Sequence, residues 1–449
     1  MSPLREQVSS HIAARVTVEV LVAAIGGAFL ACAIVADQRL LDRHFVPSFF
    51  LPRHWYVALE TFGRVVVGAA GVWLIAGIRS RAGRFAGRSP SRTLHVVIAT
   101  VLALGASNLM LRRVPLRPTE WLSSEDEPRR QVDPRLGWAW VPERTGHKNI
   151  GGRVIDYAID RAGYRVSHVD EPVNPDRPTI LFTGESVMFG EGLEYEESIP
   201  AQVGTMMGVQ TANLAVHGYG NDQAYLRLQT ELPNFRRPVA VVSLFMTALF
   251  GRNLDQDRPH LGPRLVWLPA EQRSRLSSLT KLIVPFRADK TVERGVTMTR
   301  EVLQATSQLA QEHGAVPLLV VLQFGPEEQP EQTLRRRVLD DAGIRYVFVD
   351  IDSSWRLPWD RHPNPRAARA IAAAIANELR GQLAVAGFSN NVTGSIHSSA
   401  CARKTSRERR SGFEPALKKS QLHRCCRKMS TWLLHHTNAN IAPLSQELE

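Results

Sequence analysis

The stretch "RPTILFTGESVMFGEGL", residues 177–193, decides how the rest of the chain is read. Residues 180–183 form a short run suited to a buried strand, and Gly184, Glu185 and Ser186 break it at once. A serine just past a parallel strand stands at the carboxyl edge of the sheet, where open α/β folds place their chemistry. The serine is either a nucleophile or a turn residue, and only its partners elsewhere in the chain can decide which.

Downstream the pattern is regular. Strand-like runs at 179–183, 209–214, 239–245, 316–322 and 346–350 alternate with helical segments at 199–207, 222–231, 292–313, 330–342 and an alanine-rich 365–386. That alternation predicts an α/β fold with a mainly parallel five-stranded sheet covered on both faces. Loops at the carboxyl ends of its strands then converge. Two of them carry chemistry-bearing residues: "NLAVHGYGNDQ" (213–223) after the second strand, and "WDRHPNPRAARAIAAAI" (359–375) after the last.

Ester cleavage needs a nucleophile, a base, a carboxylate to orient the base, and donors for the oxyanion. Ser186, His362 and Asp360 are of the right types for the first three, and Gly218 lets backbone N–H groups approach a substrate closely. Each piece also has an ordinary structural reading: Gly-x-Ser as a turn, His362 as a solvated residue before a helix, Asn364 and Pro365 as a helix start. Their order along the chain, each after a strand, favours the catalytic reading.

In that order they resemble the blocks of the SGNH or GDSL-like hydrolases, over about residues 133–386. Gly184-Glu185-Ser186 matches the family's Gly-Asp-Ser, Asn213 to Gly218 its second block, and Asp360 with His362 its last. "YAIDRAGYR" (157–165) is similar to the segment ahead of this domain in membrane-linked bacterial members. The resemblance implies a flavodoxin-like three-layer α/β/α fold, esterase or acyl-transfer activity, and neither metal nor cofactor. It implies that Ser186 is the nucleophile, His362 the base and Asp360 its orienting partner, with Gly218 and the Ser186 N–H as oxyanion donors. The chain departs from the pattern at Glu185, in the Asp-x-His spacing, and in "LFMTALFGRNL" (244–254), where Thr247 replaces the third-block asparagine. Asn253 is the expected substitute donor.

Ahead of this domain lie three apolar stretches, 16–36, 55–78 and 93–111. Each suffices to cross the ~30 Å hydrocarbon layer, which takes about 20 residues of helix. The link 79–92 carries Arg79, Arg81, Arg84, Arg88 and Arg92 without an acid, and so belongs on the cytoplasmic side. Three spans then put the amino terminus inside and everything after residue 111 outside, as in a multi-pass protein of the bacterial inner membrane. Glu60 and Arg64, one turn apart, read as an interfacial ion pair.

The expected organisation is a membrane region (1–114), a linker (115–132), a small β-rich preamble (133–176), the hydrolase-like domain (177–386) and a basic, disordered tail (387–449). Residues 251–290 read as an insertion bordering the site. The tail holds ten basic residues against four acidic ones, half of the net charge of +12. Because much of the rest marks membrane topology, nucleic acid is not an expected partner. Four cysteines, Cys32, Cys401, Cys425 and Cys426, are too few for a disulfide framework, and the Cys425-Cys426 pair lacks zinc-site spacing. The expected partners are membrane lipid and an acylated glycan or small ester substrate. A non-catalytic, glycan-binding protein on the same fold is the alternative.

Overall fold

The structure is a computed structural model that describes residues 3–43, 46–49, 53–111, 114, 127–150, 152–271, 287–358 and 360–385. The chain divides into two units, 1–387 and 388–449, and the second, with the basic tail and His423, Cys425 and Cys426, lies outside the described residues. Most of the 115–132 linker and residues 272–286 of the insertion lie outside them too.

Among the described residues, three helices, all before residue 111, are long and apolar enough to cross a membrane. Helix α1 (Pro3–Val35) is joined through α2 (Gln38–Arg43) to α3 (Arg53–Trp73), a π-turn (Leu74–Ile78) and α4 (Arg79–Arg88), and α5 (Pro90–Met110) follows. The arginine-rich link, expected as a loop, is helical: α4 continues the second span and packs along α1. Arginine is a good helix former, and its long stem covers apolar surface while the charge stays outward. Gly26 of α1 and Gly71 of α3 pack backbone to backbone, since a Cβ on either would come within 2.9 Å of the other's carbonyl oxygen. Small residues at such a crossing are what lets apolar helices pack closely. Arg64 donates from Nε to the Ala33 carbonyl at 3.1 Å, tying the two helices together.

Next come β1 (Arg130–Asp133), β2 (Gly137–Trp140), β3 (Arg144–Ile150), β4 (Arg153–Ile159), β5 (Arg165–Val166) and β6 (Thr179–Phe182). After β6 the chain runs through α6 (Ser186–Phe189), α7 (Ile199–Met207), β7 (Gln210–Asn213), α8 (Asn221–Glu231) and β8 (Pro238–Phe245). A 3-10 segment (Thr247–Leu254) and the short pair β9 (His260–Leu261) and β10 (Trp267–Leu268) occupy the described part of the insertion. The domain closes with α9 (Asp289–Glu312), β11 (Val316–Phe324), α10 (Gln329–Val338), β12 (Val347–Ile351) and α11 (Pro365–Val385).

The five strands read from the sequence are parallel to one another, in the order β7-β6-β8-β11-β12. In chain order this is 2-1-3-4-5, the flavodoxin-like arrangement, whose switch point falls between β6 and β8. The expectation of a five-stranded sheet is corrected: the sheet has eight strands and is mixed, because β5, β4 and β3 extend it antiparallel beyond β7. These preamble strands therefore continue the main sheet. A lone short β-strand cannot stand in water and takes the nearest open edge.

Strand periodicity sorts the core into two sides. Leu318, Val320 and Leu322 face a cluster with Ile199 and Val203 of α7 and Ile371 and Ile375 of α11. Leu319 and Val321, one residue out of phase, face Val292, Val296 and Leu303 of α9 and Leu334 of α10. Each such side chain contributes roughly 1.5–3 kcal/mol by leaving water. The resulting rigid slab presents the carboxyl ends of β6, β7, β8 and β12 along one edge.

Candidate active site

Residues 184–186 leave β6 through a turn that glycine makes possible. Gly184 takes φ +155°, and a Cβ there would meet the Met188 and Leu244 side chains at 3.2 and 3.5 Å. Glu185 caps α6, accepting a hydrogen bond from the Val187 N–H at 3.2 Å. Ser186 thereby sits in the first turn after β6, beside the switch point.

The loop after β12 brings its residues to the same place. Ser186 Oγ lies 2.8 Å from His362 Nε2, and His362 Nδ1 lies 2.8 Å from Asp360 Oδ1. The serine and the histidine, 176 residues apart in sequence, are both only 1% exposed, while the Asp360 side chain is 25% exposed. Ser186 Oγ is also 2.6 Å from Glu185 Oε2. A hydroxyl has one proton, so it donates to the carboxylate or to the imidazole at any moment. Arg252 donates to the same Glu185 oxygen at 3.2 Å and draws its charge away from the serine. Burial pushes the Arg252 guanidinium down, and the Glu185 carboxylate works against that shift.

Gly218 lies in the loop after β7 at φ +85°, a left-handed conformation that suits glycine. The preamble holds this loop in place. Trp138 donates from Nε1 to the His217 carbonyl at 2.9 Å, Trp140 to that of Ala215 at 3.0 Å, and the Tyr219 hydroxyl to that of Trp138 at 2.6 Å. Arg165, the last residue of "YAIDRAGYR", is fully buried and donates to the carbonyls of Phe189, Gly190 and Leu193 at 3.0, 2.7 and 2.5 Å. Its guanidinium also lies over the rings of Tyr157 and Phe189. One buried cation thus fixes the turn that follows the serine.

The structure does not offer Asn253 as a donor to an oxyanion. Both hydrogens of its side-chain amide have acceptors, Asn221 Oδ1 at 2.9 Å and Thr299 Oγ1 at 3.0 Å, so the amide braces α8 against α9. Thr247, at the start of the 3-10 segment after β8, is buried, and its hydroxyl has no partner among the described residues.

Two residues at the site escaped the sequence reading. Glu191 is buried, with Lys148 Nζ 3.1 Å from one oxygen and His217 Nδ1 3.5 Å from the other. The His217 ring lies 6.2 Å from that of His362. Burial works to raise the Glu191 carboxyl, but the His217 hydrogen bond and the charges of His217, Lys148 and His362 outweigh it. They hold the group well below the usual carboxylate range. The signal was in the sequence: Glu191 lies five residues past the serine, and His217 directly precedes Gly218. Among the described residues no group of histidines, cysteines and acids is arranged to hold a metal ion.

A serine bonded to a histidine that is bonded to an aspartate is the constellation of a serine hydrolase. No family model matches the chain, and no curated protein matches it. Among solved structures it is similar to a lipolytic protein of the G-D-S-L family from Desulfitobacterium hafniense (13% identity, TM-score 0.29, 44% of this chain and 98% of that one). The chain resembles GDSL-type hydrolases. It is also similar to an acetyl xylan esterase from Butyrivibrio proteoclasticus (12%, TM-score 0.30, 48% of this chain and 66% of that one). A third is a family two carbohydrate esterase from Clostridium thermocellum (14%, TM-score 0.31, 48% and 67%). At identities and scores this low, the function rests on the site itself.

Proposed function

We propose that the chain is a membrane-anchored serine esterase or acyl-transfer enzyme that acts on O-acyl groups, chiefly acetyl, of cell-envelope glycans. One observation carries the reaction: the unbroken chain of 2.8 Å contacts from Ser186 through His362 to Asp360. Ser186 Oγ attacks the ester carbonyl carbon while His362 Nε2 takes the hydroxyl proton. The tetrahedral oxyanion lies against the N–H groups of Ser186 and Gly218. As the C–O bond breaks, His362 returns the proton to the leaving alcohol and the acyl group stays on Ser186. Water or a second sugar hydroxyl then gives its proton to His362 and attacks; the Ser186 Oγ–acyl bond breaks, His362 returns the proton to Oγ, and the acid or the acylated acceptor leaves. Asp360 stabilises the imidazolium that forms twice in this cycle.

Charge and geometry support a site on the outer side of the membrane. The link between α1 and α3 lies at the same end of the helical pair as the sheet domain, with Val46 packed on the Phe250 cluster and Arg53 Nε 3.7 Å from Glu328. The five arginines of 79–92 lie at the other end, which the positive-inside rule assigns to the cytoplasm. The site then faces outward, where envelope glycans are found.

The test is hydrolysis of p-nitrophenyl acetate by the full chain in detergent, beside Ser186→Ala and His362→Ala. Turnover in the parent that both substitutions abolish supports the reading. A second reading, a glycan-binding protein without turnover, is favoured by the engagement of Asn253 with Asn221 and Thr299. A folded parent that neither turns over the ester nor takes a fluorophosphonate label at Ser186 would favour it.

A further inference from the structure

Ser186 and His362 are assembled yet sealed, each 1% exposed. A substrate reaches them only after some covering side chain moves. The neighbours of this pair include Glu185, Asp360, His217 and Phe49, and of these Phe49 alone comes from outside the sheet domain. Residues 46–49 belong to the link between the first two apolar helices, in "HFVPSFFLP".

Phe49 is 3% exposed, and its ring centroid lies 5.3 Å from that of His362 at an interplanar angle of 54°. On another side the Arg356 guanidinium lies 5.0 Å from the Phe49 ring centroid, and 4.1 Å from that of Phe324. Arg356 donates to the Arg361 carbonyl at 2.7 Å, in the loop that carries Asp360 and His362. Pro47, Ser48 and Phe49 also wall a cavity of about 130 Å³ with Met246, Gln323, Arg356 and Arg361. Phe49 therefore both packs on the His362 ring and walls this cavity, which Ser186 and His362 themselves do not line. Val46 on the Phe250 cluster, Phe49 between His362 and Arg356, and Arg53 beside Glu328 hold this segment against the sheet domain.

Resting on the esterase reading above, we propose that Phe49 is the specificity-determining residue of this site. Its ring, packed on His362, closes the pair off from the neighbouring cavity and limits the acyl group to acetyl size, so the active site is complete only with the N-terminal helices. Shortening this side chain opens room toward the 130 Å³ cavity, and longer acyl chains gain access.

The experiment compares the full chain in detergent with Phe49→Ala and Phe49→Leu, measuring kcat/KM on p-nitrophenyl acetate, butyrate and hexanoate. The expected result is a hexanoate-to-acetate ratio at least tenfold higher in Phe49→Ala, with Phe49→Leu between it and the parent. An active Phe49→Ala whose ratio stays within twofold of the parent overturns the proposal. Should Phe49→Ala lose turnover, the rates of Ser186 labelling by short-chain and long-chain fluorophosphonates supply the same ratio without it. An unchanged labelling ratio in both variants overturns the proposal equally. A parent that neither turns over nor labels removes the esterase reading itself, an outcome distinct from an active parent with unaltered selectivity.

Discussion

Asp360→Asn tests the charge arrangement on which the proposed mechanism depends. In the wild type, Asp360 Oδ1 is 2.8 Å from His362 Nδ1, which puts the carboxylate and the imidazolium formed during turnover about 4 Å apart between charge centres. At an effective dielectric of ~20 that attraction amounts to about 4 kcal/mol, and water at the quarter-exposed carboxylate lowers it to roughly 2. Asparagine keeps the shape but removes the charge, and its amide favours the wrong tautomer of His362. At 1.36 kcal/mol per tenfold, the expected fall in kcat is about 30- to 1,000-fold. Because the charge develops only in the transition state, KM should stay within about twofold. The assay is p-nitrophenyl acetate hydrolysis with kcat and KM resolved separately, on full chains with matching melting curves. A fall of less than about threefold in kcat, with His362→Ala inactive, would refute the reasoning and shift the stabilising role to buried Glu191.

Arg165→Met removes three charge-assisted hydrogen bonds to the 189–193 turn and should lower stability by at least about 3 kcal/mol, read by thermal melting, with kcat falling as the turn loosens. Glu191→Gln tests a linkage whose sign follows from a folded value held below the ordinary 4.5. The charged carboxylate contributes stability above that pH and loses it as pH falls toward the folded value, so parent and variant should differ in Tm at pH 7 and converge below about pH 4.5. Thr247→Val deletes a buried hydroxyl without a described partner while keeping the shape, and should leave Tm unchanged or raise it by a few degrees. A clear drop in Tm would mean that the hydroxyl is bonded in the folded protein.

The parallel core was legible because each strand and helix announces its own period. The five strands and five helices of the sheet domain fall within a few residues of where apolar runs and helical spacing put them. The pairing of Ser186 with His362 was legible too, since parallel strands bring all carboxyl-end loops to one edge. The place of β3, β4 and β5 was not, because short aromatic-rich runs state no partner and the edge they join is set by β7, far along the chain. Asn253 was misjudged for a related reason: sequence places a residue on a loop, but the direction of its amide is set by Asn221 and Thr299 on other elements. Phe49 was hidden by its address, in a link that composition assigns to the membrane region and three-dimensional packing assigns to the site.

The interior strand β5 also sets an order of events during folding. It pairs with β4 locally, but its other neighbour is β7, through Arg165 and Asn213. Residues 130–166 leave the ribosome early and have no edge to join until residue 213 has followed and β6 and β7 are aligned. Such long-range closure is slow, since chain entropy is lost before the contact forms. Trp138, Trp140 and Arg165 therefore dock only once β7 is in place, as a clasp across the loops that carry Gly218 and the turn after Ser186. Burial of Trp138 and Trp140 should therefore follow the pairing of β6 with β7 in refolding kinetics.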